Sequence, residues 1–335
     1  MLAFIIKFIF IPRTLLSLWK HVNIQKKFIK KTLNLDVIEL RKGNDGSITE
    51  DDFKKIIHYY GFGVPAVVAA SFSILRATPL SIKERTAATY LGAMTGLGDD
   101  FFDVKAYEPE KLNTLLNALL NESNYNSYTR TVERAFLFFY ARLKENITQQ
   151  ERLKNYIKRV FEAQIKSQKQ TESHISREEI IDITLEKGGL SLLLYRSTIQ
   201  TEADEIEEQL LYKLGGLMQL GNDIFDVYKD YKMGIKTLIT IETNIDVLHS
   251  YYLQLMNETI ELAYKMNYPR KNIRSFIMFI MLGLARVFVM LEMLKKRQLK
   301  THNVFAPEKY TRKELICDME KPFNILRSIF YYLKY

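Results

Sequence analysis

Long runs of the chain mix Leu and Ile with Lys and Glu and are broken by few turn-forming residues, which is a helical pattern rather than a strand pattern. From Gly63 to Ala77 the residues are almost wholly apolar (Val64, Ala66, Val67, Val68, Phe72, Ile74, Leu75), predicting a buried helix entered through Pro65. Ser81 followed three residues later by Glu84 is a helix-start signature, so a second helix is predicted to run to Asp103. It carries Ala87, Ala88, Gly92, Ala93, Gly96 and Gly98. Small residues there let a neighbour approach closely, at a helix-propensity cost of ~1 kcal/mol per glycine.

Residues 111–170 read as amphipathic helices with charged outer faces. Arg177-Glu178-Glu179 opens another helix, in which the pair Gly188-Gly189 is expected to open or bend the backbone toward a cavity. A helix from Leu211 to Asp230 follows, and Lys232, Met233, Gly234, Ile235 and Lys236 form a basic exit from it. Phe276 to Leu294 is the most apolar long segment, interrupted by Arg286 and Glu292. An internal arginine is more easily housed in protein than in lipid, so a buried bundle helix is expected there, with Arg286 salt-bridged in the core.

The chain has 335 residues, 47% of them hydrophobic, with only 14 glycines and 7 prolines. That supports a sizeable core and an all-α protein. No internal repeat or Gly/Ser/Pro-rich linker divides it, so one domain over residues 35–335 is expected, preceded by an appendage over residues 1–34. The single cysteine, Cys317, excludes an internal disulfide or a thiolate metal cluster and permits a reducing compartment. A cytoplasmic location is the expectation, with contact at the membrane surface as one of two readings of the N-terminal segment.

The formal charge is +9 and is uneven: Lys7, Arg13, Lys20, Lys26, Lys27, Lys30 and Lys31 fall in the first 31 residues, which hold no acid. No basic stripe interleaved with base-stacking aromatics appears, so nucleic acid is not an expected partner. Leu2 to Trp19 is apolar but broken by Lys7, Pro12 and Arg13, too interrupted for a comfortable span of ~20 residues. Two readings stand: an element lying on an anionic membrane surface with Trp19 at the boundary, or a helix packing over the domain. The segment Lys42 to Ile48 invites comparison with a calcium loop, but Arg41 and Gly43 stand where the first two side-chain ligands belong. A turn leading to a helix near Thr49, with Asp52 three residues on, is the simpler reading.

The candidate chemistry lies in two acidic words. At about 100° per residue, Asp99 and Asp103 of Asp99-Asp100-Phe101-Phe102-Asp103 share one helix face, and Asn222, Asp226 and Asp230 form a stripe over two turns. Carboxylates crowded to ~5 Å repel by roughly 3 kcal/mol per pair at an effective dielectric near 20, so an apolar site tolerates them only protonated or counter-charged. Hard divalent cations are the natural counter-charge. Mg²⁺ prefers oxygen ligands and completes its octahedron with waters and substrate phosphates, so the words suit a diphosphate. Lys229, between Tyr228 and Asp230, is placed to contact a phosphate oxygen.

These residues resemble those of the class I isoprenoid synthases, the all-α group that includes terpene cyclases, chain-elongating prenyl diphosphate synthases and squalene or phytoene synthases. Residues 99–103 match the DDxxD motif in full. Asn222 to Asp230 is similar to the cyclase NDxxSxxKE word, with Asp226 for Ser/Thr and Asp230 for Glu. Gln219-Leu220-Gly221-Asn222 followed by Asp226-Val227 and Asp230 is similar to the squalene/phytoene word QLxNxxxDVxxD. The resemblance implies a single large helical bundle around a central apolar cavity and three Mg²⁺ ions bridging carboxylates and substrate diphosphate. It implies Asp99, Asp100, Asp103, Asn222, Asp226 and Asp230 as metal ligands, with Asp99, Asp103, Asn222, Asp226 and Asp230 central to catalysis. Lys187, Arg196 and Lys229 are the expected diphosphate contacts, and Phe72, Phe101, Phe102 and Phe225 the aromatic faces near a carbocation, worth ~1–2 kcal/mol each when dry.

Val104-Lys105-Ala106-Tyr107 lacks the double arginine that elongating synthases place after their first motif, which disfavours elongation. The expected activity is therefore a terpene synthase that ionises a linear prenyl diphosphate, with head-to-head condensation of two such molecules as the alternative and a non-catalytic polyprenyl-binding bundle as the rival from another class. A homodimer is compatible with the resemblance.

Overall fold

The structure, a computed structural model, describes residues 2–103, 107–121 and 124–335, the side chains of residues 2–6 and 103 excepted. Among the described residues the regular structure is helical throughout, with no strand. In chain order the helices are α1 (Leu2–Lys30), α2 (Leu33–Lys42), α3 (Glu50–Lys55), α4 (Ala70–Arg76), α5 (Ile82–Asp103), α6 (Pro109–Leu120), α7 (Thr131–Lys144) and α8 (Gln150–Ser167). They continue as α9 (Arg177–Arg196), α10 (Glu205–Phe225), α11 (Val227–Met233), α12 (Leu238–Ile241), α13 (Ile245–Ala263), α14 (Arg270–Gln298), α15 (Arg312–Leu315) and α16 (Pro322–Lys334). The chain forms two compact units, one of Leu15–Phe161 with Leu194–Glu202, the other of Met1–Thr14, Glu162–Leu193 and Ala203–Tyr335.

In the first unit α5 is the central element, packed along α7 and against two π-helical turns, Ile56–Tyr60 and Pro65–Ala69. Its start is set by a reciprocal cap: the Ser81 N–H donates to Glu84 at 2.8 Å and the Glu84 N–H donates to the Ser81 hydroxyl at 3.1 Å. Glu84 also accepts from Arg76 at 2.8 and 3.2 Å and from the Gln200 N–H at 3.1 Å. Burial alone would raise its pKa, but these donors more than offset that and hold it below its ordinary value. The same reciprocal cap, Thr49 with Asp52, starts α3. The stripe of small residues on α5 is used for close approach. A Cβ on Gly92 would lie 2.1 Å from the Tyr60 carbonyl oxygen, and one on Gly96 would lie 2.3 Å from the Tyr60 ring.

The second unit is built on α10, which packs on α13 and α14, while α14 also carries α16. Two expectations are corrected here. Gly188-Gly189 does not open α9, which runs unbroken through both residues. They serve a helix crossing instead: a Cβ on Gly188 would sit 2.2 Å from the Gly215 carbonyl oxygen, one on Gly215 would sit 2.2 Å from that of Gly188, and Gly189 faces the Tyr212 ring. Arg286 is exposed, so it needs no core salt bridge. By length and composition α14 is apolar enough to cross a membrane, but 67% of its most apolar window is buried inside the protein, as in a core helix.

Candidate functional site

The first acidic word ends α5. The face that carries Gly92, Thr95 and Gly96 also carries Asp99, so the residues that admit Tyr60 bring the acid to the same neighbourhood. Asp99 and Asp100 are half-buried. Burial first, and then the charge of Asp99, push the Tyr60 phenol well above its ordinary pKa. Tyr195, within 3.4 Å of the Thr95 hydroxyl, is pushed up in the same way by burial and by Asp99. Both phenols therefore keep their protons and remain available as donors beside the carboxylate. The side chain of Asp103 lies outside the described residues.

The second word bends where its central acid sits. Asp226 ends α10 with φ −88° and ψ 8°, its N–H still donating to the Asn222 carbonyl at 2.9 Å, and α11 begins at the next residue. A single helix from Leu211 to Asp230 was the sequence expectation, so the break at Asp226 is a correction. Gly234 closes α11 with φ +69°, a conformation that favours glycine.

Around that bend the carboxylates gather. Asp223 is buried and accepts from Gln219 at 2.8 Å and from the Thr184 hydroxyl at 3.2 Å. Burial raises its pKa to about 6, against the opposing pull of those donors and of Lys187. Asp230, also buried, is raised to about 7 by burial and by the charges of Asp223 and Asp226, with Lys229 and Lys187 opposing. Asp226 is raised by burial, tempered by Lys229 and by the Asn222 amide, which donates to it at 3.3 Å. Three carboxylates thus sit close enough to oppose one another's ionisation, with Lys187 half-buried beside them. Such a cluster is short of positive charge.

Among the described residues, no three His, Cys, Asp or Glu side chains are arranged to grip one ion by themselves. That does not conflict with a magnesium site, because Mg²⁺ takes one or two carboxylates and fills its octahedron with waters and substrate phosphate oxygens. The donor set around Asp226 is all oxygen, acidic and under-compensated. It fits a hard divalent cation.

The cluster has a measurable signature in the metal-free protein. An aspartate that holds its proton to about pH 7 when folded, but only to its ordinary value of 3.8 when unfolded, makes stability fall as pH rises between those values and stay low above them. Each tenfold separation of proton affinity is worth about 1.4 kcal/mol. Asp230→Asn is expected to flatten the fall in melting temperature between pH 4 and pH 7, on the order of several degrees, as read by thermal melts in chelator. An unchanged slope would show that Asp230 is not held protonated.

Lys229 is exposed next to Asp226, and Phe225 is half-buried at the end of α10. Arg196 is fully buried, donates to the Thr201 carbonyl at 2.7 Å, and lies 5.9 Å from the ring of Phe72, itself buried. Phe101 is buried and stacked on Tyr107 at 4.9 Å, and Phe102 meets Phe161 edge-on at 5.4 Å. Sequence reasoning missed Asp223 as a member of the cluster, and with it Thr184 and Gln219. Asp223 lies two turns from Asp230 in the same word, a spacing that could have flagged it. Thr184 and the phenols of Tyr60 and Tyr195 left no comparable signal. A cavity of about 430 Å³ in the first unit, lined by Tyr125, Tyr140, Lys144 and Glu145 among others, holds none of the residues singled out from the sequence.

No protein-family model matches the chain, and no curated protein matches it. Among solved structures, one described as a dehydrosqualene synthase in complex with ligand is similar at a TM-score of 0.47 and 17% identity, covering 85% of this chain and 99% of that one.

Proposed function

We propose that the protein is a Mg²⁺-dependent enzyme of isoprenoid diphosphate chemistry, which breaks the allylic C–O bond of a linear prenyl diphosphate. The electron pair leaves with pyrophosphate and the carbon is left as an allylic cation. The observation that carries this reading is the under-compensated cluster of Asp223, Asp226 and Asp230 beside Lys187. Bound magnesium would supply the positive charge that a departing diphosphate needs. The chain's own groups have distinct tasks. Asp226, Asp230 and Asn222 supply oxygen donors, a task that the motif resemblance assigns to Asp99 and Asp103 as well. Thr184 and Gln219 fix the orientation of Asp223. Lys187 and Lys229 add charge that a diphosphate oxygen can share. Phe101, Phe102, Phe72 and Phe225 are the aromatic faces assigned to the cation by the motif resemblance.

Two fates of the cation fit this first step. It can lose a proton or take up water, giving a terpene hydrocarbon or alcohol, or it can be attacked by the double bond of a second prenyl diphosphate. The second fate is favoured by Gln219, which belongs to the head-to-head synthase word but not to the cyclase word and is engaged here in holding Asp223. Asp226, a carboxylate where cyclases carry a hydroxyl, points the same way.

Incubation with geranyl, farnesyl and geranylgeranyl diphosphate in Mg²⁺ tests both levels. Pyrophosphate release with a product of twice the substrate's carbon number supports head-to-head condensation, and a product of equal carbon number supports a terpene synthase. Tight prenyl binding without pyrophosphate release would replace the enzyme with a lipid-binding bundle.

A further inference from the structure

The solvent-facing side of a surface helix ordinarily carries polar residues. On the first half of α1 it is inverted. Phe8 is 63% and Trp19 67% exposed, and Ile9, Leu15 and Leu16 are exposed with them. At helical spacing Phe8, Leu15, Leu16 and Trp19 share one face, an outward apolar stripe roughly 17 Å long. The opposite face is the one that packs: Thr14, Gln25 and Ile29 are buried, and Gln25 donates to the Gly61 carbonyl at 3.0 Å and to the Thr89 hydroxyl at 2.8 Å. Farther along, the outward face becomes basic, with Lys26, Lys27 and Lys30 exposed. α1 is therefore fixed to the protein by its inner side and presents an apolar stretch followed by a cationic one.

We infer that the outer face of α1 docks on an anionic phospholipid bilayer. The two chemistries of this face have one common complement. Phenylalanine, isoleucine and leucine side chains enter the boundary between headgroups and acyl chains, tryptophan favours that boundary, and lysines meet anionic headgroups. A second copy of the chain is a poor occupant, because it would bring together two segments, residues 1–31 of each copy, that carry seven cations and no acid apiece.

The sole tryptophan of the chain, Trp19, reports on the event directly. The protein is titrated with vesicles of phosphatidylcholine containing one third phosphatidylserine, and with phosphatidylcholine alone, following Trp19 emission and co-sedimentation. A blue shift and sedimentation are expected with phosphatidylserine, weakening as salt is raised. The triple variant Lys26→Gln, Lys27→Gln, Lys30→Gln is expected to lose roughly a hundredfold in affinity, and Phe8→Ser with Leu16→Ser at least tenfold. These side chains are exposed, so circular dichroism should be unchanged. Absence of a blue shift, affinity indifferent to the α1 variants, or a lipid-free dimer dissolved by Leu16→Ser with no vesicle binding would overturn the inference.

Discussion

Asp230→Asn is expected to lower pyrophosphate release from prenyl diphosphates about a thousandfold or more, on the order of 4 kcal/mol of barrier, while the metal-free protein becomes no less stable. The two effects have one cause. Asp230 is buried beside Asp223 and Asp226, and the three oppose one another's ionisation. Removing one charge relieves that repulsion in the resting protein and removes a ligand from the set that neutralises a departing diphosphate. Asp99→Asn is expected to match this loss while keeping an acceptor beside the phenols of Tyr60 and Tyr195. Rates near wild type in both single variants, measured as pyrophosphate released per minute, would dismiss the site assignment. A melting temperature that collapses in Asp230→Asn would instead mark that residue as structural.

Gly188→Ala is expected to cost the fold about 3 kcal/mol or more. The added Cβ would meet the Gly215 carbonyl oxygen at 2.2 Å, and that atom is backbone in the centre of α10, which cannot swing aside as a side chain would. The helices must separate. α9 carries Thr184 and Lys187 on the turn next to the crossing, so their distances to Asp223 change with it, and turnover should fall together with stability. Gly283→Ala is the matched control. Gly283 is exposed in the middle of α14 with open space where a Cβ would go, so alanine there should stabilise by roughly 0.5–1 kcal/mol through helix propensity. Denaturant melts of the two variants should move in opposite directions. A Gly188→Ala midpoint equal to wild type would mean that α9 and α10 are not held in contact at these glycines.

Much of the helical framework is legible in the residues themselves. The caps at Thr49 and Ser81 each depend on one side chain and the N–H three residues later, so the words Thr49 to Asp52 and Ser81 to Glu84 contain all that is needed to place two helix starts. The small stripe of α5 announced a close neighbour, although nothing in the sequence named Tyr60 as that neighbour. Asp226 and Asp230 of the second word could be paired in advance, because i and i+4 positions lie one turn apart whatever surrounds them.

What failed to be read has a common origin. Gly188-Gly189 looks like a helix breaker in isolation, since the cost of glycine is local and the benefit, a crossing with Gly215, comes from a residue on another helix. Arg286 looked buried because its neighbours in sequence are apolar, yet its own face of α14 is exposed. Asp223 passed unassigned because its partner Thr184 lies on a different helix. By itself the sequence determined that this chain is helical, where several helices begin, and which carboxylates share a stripe, because propensity, capping and periodicity act within one or two turns. Tertiary structure alone decided how closely two helices meet, which face of each is withdrawn from water, and therefore which acids keep their protons, because burial and charge pairing are set by residues that only folding brings together.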